Sequence, residues 1–447
     1  MLNRTDAVEL VNDHLLPALR SERQRLDHID AWYRWRHEDP VIPRQATPEL
    51  RALLELARTP WLGLVVTKVA QSMYVDGYRS PESNDDLPPW RLWQRNDLDG
   101  RQIAVHRAML AYGSAYLTVL PGVDGFDQPM AVMRGVSPRK MLAFYADPAE
   151  DDWPMYALRM EPQGTAWMLR LYDDEAVHFL GIEDGDTRYI EPQPHGVGVC
   201  PVVRFANQLD LEGRADGEVE PFIALAKRID RTAFDRLLTQ YSSSWKVRTI
   251  AGMAEPDDEE DANRKKLQLR QDDILVAEDP DTKFGSLPET PLDGFIRAYE
   301  SDIKTLAAAS QTPVHDMVGD LVNLNAEALA AARSSLDAKV AERKKAAGKF
   351  WDQSLKLASR VAGDLDAATD ALAHVTWADT SVRSLAEAAD AYGKMATMLG
   401  IPVQGLWPMI PGVSRSDVEE WKTLAEQGGG IEALMRELAG QTAPPGE

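Results

Sequence analysis

Thr312-Pro313-Val314-His315-Asp316-Met317-Val318-Gly319-Asp320 reads as a short, turn-rich loop, and Leu321-Val322-Asn323-Leu324-Asn325 as a polar junction. From Ala326 to Val361 the chain then runs without a proline, which predicts one helix. Helices of globular proteins average about eleven or twelve residues. At the usual rise this one would be about 50 Å long. A rod of that length, entered through a Pro/Gly loop, is an architectural part rather than a catalytic loop.

Working outward, Glu218 to Tyr241 predicts a helix, because Phe222, Leu225, Ile229, Ala233, Leu237 and Tyr241 recur every three or four residues. A second helix is predicted from Leu292 to Ser310, directly before the loop. Between them lies a small mixed module with strands at Trp245–Ile250 and Asp273–Ala277, an acidic run at Asp257–Asp261 and the basic run Arg264-Lys265-Lys266. After the long helix, His374-Val375-Thr376-Trp377 predicts one more strand. The last seventy or so residues read as helices broken at Gly400, Pro402, Pro408, Pro411 and Gly428-Gly429-Gly430, with a disordered tail at 441–447.

Toward the N-terminus, Thr5–Trp35 predicts a helix capped by Thr5 or Asp6. Thr47-Pro48-Glu49 is a cap followed by proline at the first helical position, opening a helix toward Met73 with a kink at Pro60. Asp76-Gly77 reads as a turn, and Trp90–Tyr112 as a helix stopped by Gly113. Short strands are then expected at Ala115–Leu120, Ala131–Met133, Met155–Met160, Ala166–Tyr172, Ala176–Leu180 and Pro201–Phe205. Asp173-Asp174 and Glu183-Asp184-Gly185-Asp186 supply hairpin turns. The fold class is therefore α+β, with helices, an antiparallel β region, then helices enclosing a small insert.

The chain has 447 residues and a formal net charge of −22, which speaks against a tight DNA clamp, since such clamps place Lys and Arg on phosphates. Its single cysteine, Cys200, allows neither an internal disulfide nor a Cys-based zinc site. Its apolar neighbours favour a buried, inert thiol. Residues 1–25 are charged throughout, unlike a secretory signal, and no window is apolar enough to predict a membrane span.

The search for chemistry returns little. Gly348-Lys349-Phe350 and Gly393-Lys394-Met395 lack the Ser or Thr of a phosphate loop. Neither a His-Glu-x-x-His nor a Gly-x-Ser-x-Gly sequence occurs, and the eight histidines are scattered. Asp257-Asp258-Glu259-Glu260-Asp261 lacks the spacing of a calcium loop and reads as a solvated run, so no metal or other cofactor is expected. Trp32, Trp35, Trp61, Trp90 and Trp93 fit core or inter-subunit packing better than base stacking. The long helix is locally basic, carrying Arg333, Lys339, Arg343, Lys344, Lys345, Lys349, Lys356 and Arg360. That face is either an ordinary solvated surface, a contact for an acidic neighbour, or a contact for DNA.

The chain resembles the portal proteins of tailed bacteriophages of the siphophage and prophage type. The resemblance is carried by Asn96-Asp97-Leu98-Asp99 with Tyr112-Gly113-Ser114-Ala115-Tyr116-Leu117, by Thr312-Pro313-Val314-His315 through Asn325-Ala326-Glu327-Ala328-Leu329, and by Val375-Thr376-Trp377-Ala378-Asp379 with the segments Ser384–Ala391 and Gly400-Ile401-Pro402. It covers about residues 1–435 and none of its motifs is catalytic. It implies a non-enzymatic ring, usually of twelve copies, at one capsid vertex, through which a separate terminase drives double-stranded DNA. It further implies a wing at 1–215, stem helices at 216–242 and 292–310, a clip at 243–291, a tunnel loop at 311–325, the long helix and return strand at 326–380, and a crown at 381–440. The expected DNA-facing residues are Val314, His315, Asp316, Met317, Val318, Asn323 and Asn325. The expected partner-binding residues of the clip are Asp257, Asp258, Glu259, Glu260, Arg264, Lys265 and Lys266. The partners implied are the terminase large subunit, a head–tail adaptor, and the major capsid and scaffolding proteins. A DNA-processing subunit such as a terminase or nuclease, or a different head–tail connector ring, are the competing readings.

Overall fold

The computed structural model describes residues 2–37, 47–81, 86–244, 248–251, 283–286, 291–319, 326–378, 385–410, 413 and 417–425. The long helix spans Ala326–Val361, with the bounds expected from the sequence. Gly363, in the left-handed region at φ 86°, stands just past its end. Its buried positions Leu336, Val340, Ala347, Trp351, Leu355 and Ala358 recur at helical spacing and enter the main core.

That core lies between the long helix, the helices Trp61–Ala70 and Leu98–Tyr112, and a three-stranded antiparallel sheet. In chain order the strands are β1 (Val75–Arg79), β2 (Ser114–Val123), β3 (Pro129–Val136), β4 (Met141–Phe144), β5 (Tyr156–Gln163), β6 (Ala166–Tyr172), β7 (Ala176–Glu183), β8 (Asp186–Pro194) and β9 (Val202–Ala206). The three-stranded sheet has the order β3-β2-β9, and a second, five-stranded sheet runs β4-β5-β6-β7-β8, all antiparallel. A small core joins the two sheets through Tyr116, Met141, Tyr172, Cys200 and Val202. Cys200 is buried, and burial pushes its thiol well above the ordinary range, in keeping with an inert side chain.

The N-terminal helix packs its Val11, Leu15 and Leu19 on the five-stranded sheet. It is continuous from Arg4 to Tyr33 but carries a π-helical segment at Val11–Leu15. Its cap is Asn3, whose side chain accepts from the Asp6 amide, slightly earlier than the Thr5 or Asp6 expected. Thr47 does cap Pro48–Ala57, and Pro60 divides that helix from Trp61–Ala70. Trp90–Tyr112 is likewise two helices, Trp90–Arg95 and Leu98–Tyr112, because Asp97 takes a left-handed conformation at φ 54°. Asp76 and Gly77 do not form a turn. They lie in β1, which pairs with the return strand His374–Trp377 and absorbs its extra residue in a bulge between Val75 and Gly77.

The next helix begins at Ile223, after a 3₁₀ turn at Glu220–Phe222, and runs to Ser244. It lies beside Asp293–Ala309. Arg228 of the first helix pairs with Asp302 of the second at 3.0 Å. Between them, Arg248–Ala251 pairs antiparallel with Lys283–Ser286. The acidic run, the basic run and the strand expected at Asp273–Ala277 lie outside the described residues. Val314–Val318, expected as loop, forms a short helix closed by Gly319 at φ 79°. Leu385–Leu399, Val403–Leu406 and residues 417–425 are the helices described near the C-terminus.

Candidate functional site

Where the paired helices meet the long helix, three ionisable groups are buried together: Glu218, Lys339 and Arg343 are each under 5 % exposed. Lys339 Nζ lies 2.6 Å from one Glu218 oxygen, and Arg343 Nε donates to the other at 3.0 Å. Lys339 Nζ also donates to the Ser310 carbonyl at 2.9 Å. That carbonyl closes the helix Asp293–Ala309, so an open helix-end acceptor is satisfied by a cation from the long helix. Burial alone would raise the Glu218 carboxyl, but Lys339 and Arg343 outweigh it and hold it below the ordinary range.

The backbone around Glu218 is equally constrained. Its amide donates to the Leu110 carbonyl at 2.7 Å, and Asn207 Nδ2 reaches the Asp216 carbonyl at 2.9 Å. Two glycines make the crossing possible. A Cβ on Gly113 would stand 2.1 Å from the Ala215 carbonyl oxygen, and one on Gly217 would stand 2.5 Å from that of Ala111. Four chain segments are thus joined at one point: the turn after Tyr112, the run into Ile223–Ser244, the end of Asp293–Ala309, and the long helix.

The segment leaving this joint carries the five described candidates of the expected DNA-facing set. Val314 is exposed and His315 half-buried. Asp316 is held by Lys68 at 2.7 Å, tying the short helix to Trp61–Ala70. Met317 is buried in the main core and Val318 packs against it. Asn323 and Asn325, and all the partner-binding candidates from Asp257 to Lys266, lie outside the described residues.

The structure also sorts the basic face of the long helix. Lys339 and Arg343 point inward to Glu218. Lys344 donates to the Ala378 carbonyl and lies over the Trp377 ring, and Lys349 pairs with Asp152 at 3.1 Å. The internal pairing was missed in the sequence, although Lys339 and Arg343 share the helical phase of Leu336, Val340 and Ala347. Of the tryptophans, Trp90 and Trp93 are buried and stacked at 5.1 Å, and Trp93 meets Trp351 edge-on at 4.7 Å.

Two histidine clusters bear on catalysis. His178 Nε2 lies 2.9 Å from Asp173, and Nδ1 lies 2.9 Å from the Tyr189 hydroxyl. Both ring nitrogens are therefore held by partners within the five-stranded sheet region. His106 Nε2 accepts from Trp351 Nε1 at 2.8 Å, which places the ring proton on Nδ1, 3.1 Å from the Met73 carbonyl. Among the described residues no group of three or more His, Cys, Asp or Glu side chains could hold a metal ion, and none of the helices is long and apolar enough to cross a membrane.

Two buried groups give the fold a pH dependence of opposite signs. Burial pushes His106 down to about 4 from its ordinary 6.5. Its contribution is complete above pH 6.5 and is lost as pH falls from there toward 4, a span worth roughly 3 kcal/mol. Burial pushes Asp352 up to about 6, although its carboxylate accepts from the Val375 amide at 2.7 Å. Its contribution is complete below pH 3.8 and is lost as pH rises through 6. Asp352→Asn keeps the acceptor and removes the charge. It is therefore expected to raise the thermal midpoint at pH 7.5 by a few degrees and to change it little at pH 3.5, as read by scanning fluorimetry. An equal shift at both values would refute the assignment.

The family model for phage portal proteins of the SPP1 Gp6-like type matches residues 12–430, and the chain belongs to that family. The portal protein of Mycobacterium phage D29 is 25% identical over 405 residues, covering 86% of this chain and 82% of the relative. That of Mycobacterium phage L5 is 25% identical over 403 residues, with the same coverage. Among solved structures, the neck of a native GTA particle computed with C12 symmetry is similar at a TM-score of 0.48 and 12% identity, covering 83% of this chain and 95% of that one.

Proposed function

We propose that copies of this chain form a ring at a single capsid vertex and that double-stranded DNA passes through its centre during packaging and ejection. The observation that carries this reading is the family match over nearly the whole chain. In this reading residues 1–215 form the wing, the paired helices within 216–242 and 292–310 the stem, 243–291 the clip, 311–325 the tunnel loop, 326–380 the long helix and return strand, and 381–440 the crown. The clip docks the terminase large subunit and later a head–tail adaptor, and the ring is set among major capsid and scaffolding proteins. The ring assembles in the host cytoplasm and ends in the virion.

Elementary electrostatics supports the assignment. A channel must enclose a polyanion without trapping it, and phosphate contacts dominate DNA affinity. A chain of net charge −22 that buries two of its long-helix cations against Glu218 limits such contacts. No catalytic role is proposed, because the motor that consumes nucleotide is a separate protein.

Negative-stain microscopy of the purified chain is expected to show rings with a central hole. Monomers or dimers alone at high concentration would overturn the ring, and DNA-stimulated ATP hydrolysis would overturn the non-enzymatic reading. Deleting residues 318–323 is expected to leave rings intact while DNA packaging or retention fails. Rings lost with that deletion would remove the tunnel-loop assignment.

A further inference from the structure

Lys345, Lys349, Asp352, Lys356 and Arg360 follow one another at intervals of three or four along the long helix, and so share one stripe of its surface. All five line a cleft of about 620 Å³, whose facing wall is formed by Asp152, Trp153 and Val199, with Leu365 and Thr369 at its end. Lys349 is paired with Asp152. Among the described residues no carboxylate lies within ion-pair distance of Lys345, Lys356 or Arg360. In a chain so acidic, three unpaired cations in one cleft call for an anionic occupant.

The same chain carries the complementary surface. The β7–β8 hairpin turns at Asp184 and Gly185, both at positive φ, and presents Glu183, Asp184 and Asp186 exposed at its tip. Strand β8 is the edge of its sheet and adds exposed Glu191, while the N-terminal helix beside it adds exposed Glu9 and Asp13. None of these six carboxylates is in an ion pair among the described residues. Arg4 and Arg188 are the cations that those same elements bring to this edge. Within one chain no described ion pair joins this acidic edge to the basic cleft.

A ring built from identical copies needs a heterologous interface, in which two different patches of the same chain meet. We propose that the acidic β7–β8 edge of one copy docks in the Lys345–Arg360 cleft of the next. The proposal rests on the ring reading above and supplies one of its contacts. Asp152 and Asp352 in the cleft wall make a closely spaced phosphate backbone a poorer occupant than separate carboxylates on a protein edge. The cleft also lies well along the helix from the 311–319 segment. Lys356 is seventeen residues past Lys339, about 25 Å further on.

The test is ring assembly of the full chain, read by native mass spectrometry and sedimentation. Lys345→Glu, Lys356→Glu and Arg360→Glu together are expected to shift ring to monomer, with the thermal midpoint of the monomer unchanged. Glu183→Lys, Asp184→Lys and Asp186→Lys together are expected to do the same. Combining the two sets is expected to restore rings, and raising salt from 0.15 to 0.5 M is expected to weaken wild-type assembly about tenfold. Unaltered rings from either reversal, or loss in both without restoration by the combination, overturns the proposal. So does binding of a short DNA duplex by wild-type monomer that the cleft reversal abolishes, because the cleft is then a nucleic-acid site. If the unmodified chain forms no rings under any condition, the ring reading itself fails, and this inference with it.

Discussion

Glu218→Gln lowers the stability of the folded chain by about 3–5 kcal/mol, the range expected when one member of a buried ion pair is removed and its partner cations remain. A glutamine there would be the same size but neutral, leaving Lys339 buried with no carboxylate in contact and Arg343 with only the exposed Glu342, at 2.9 Å. Denaturant unfolding of the variant measures the loss. Glu218→Gln combined with Lys339→Met removes one of the stranded cations, so the pair is expected to cost less than the sum of its singles by more than about 1 kcal/mol. A loss below about 1 kcal/mol for Glu218→Gln, with additive singles, would show that water reaches the site and that the joint is not closed as described. The effect is also expected to reach beyond the ion pair. Limited proteolysis should cut near residues 311–319 faster in the variant, because Lys339 also caps the Ser310 carbonyl that precedes them.

The joint explains why the sequence was only partly legible. Repeating patterns carried well: the long helix, β6 and the return strand came out with their observed bounds, and the two paired helices within a few residues, because each is set by local periodicity. Glu218 was read as the first residue of a helix, ahead of the apolar recurrence that begins at Phe222. Its actual partners are 121 and 125 positions away, and no local rule reports a contact at that separation. Lys339 and Arg343 looked like members of a solvated basic face until their phase is compared with Leu336, Val340 and Ala347. Asp76-Gly77 read as a turn because composition favours one, and pairing with a strand almost 300 residues later overrode it. The single π-helical segment in the N-terminal helix has no signature in its residues. Val314–Val318 was read as loop because of the Pro and Gly that bracket it, and that reading missed the short helix and could not separate the exposed Val314 from the buried Met317.

The second large effect is expected at Trp351. This ring is fully buried, 4.7 Å from both Trp93 and Phe205, and its Nε1 donates to His106. Trp351→Ala is expected to cost about 3–5 kcal/mol through lost contacts and the cavity left behind. Trp351→Phe retains most of the packing but leaves His106 Nε2 without its donor, at an expected cost of about 1–3 kcal/mol. The ordering is the informative result. Equal losses would mean that the hydrogen bond, rather than the packing, holds this part of the core. Because the Trp351 N–H occupies the ring nitrogen that a proton would take, Trp351→Phe is also expected to lose stability less steeply than wild type as pH falls below 6.5.

The uneven burial of the long helix has a mechanical consequence. From Leu336 to Ala358 one face is embedded in the core, while residues 331–335 toward the other end are exposed or half-exposed. The helix is therefore a cantilever: a stiff beam rooted at the ion pair, with residues 331–335 standing clear of the core over about 7 Å. The position of the overhanging end is set at the root rather than along the beam. A change of about 5° in the angle at Lys339 would carry Ala326, thirteen residues away, through nearly 2 Å, at a rise of about 1.5 Å per residue.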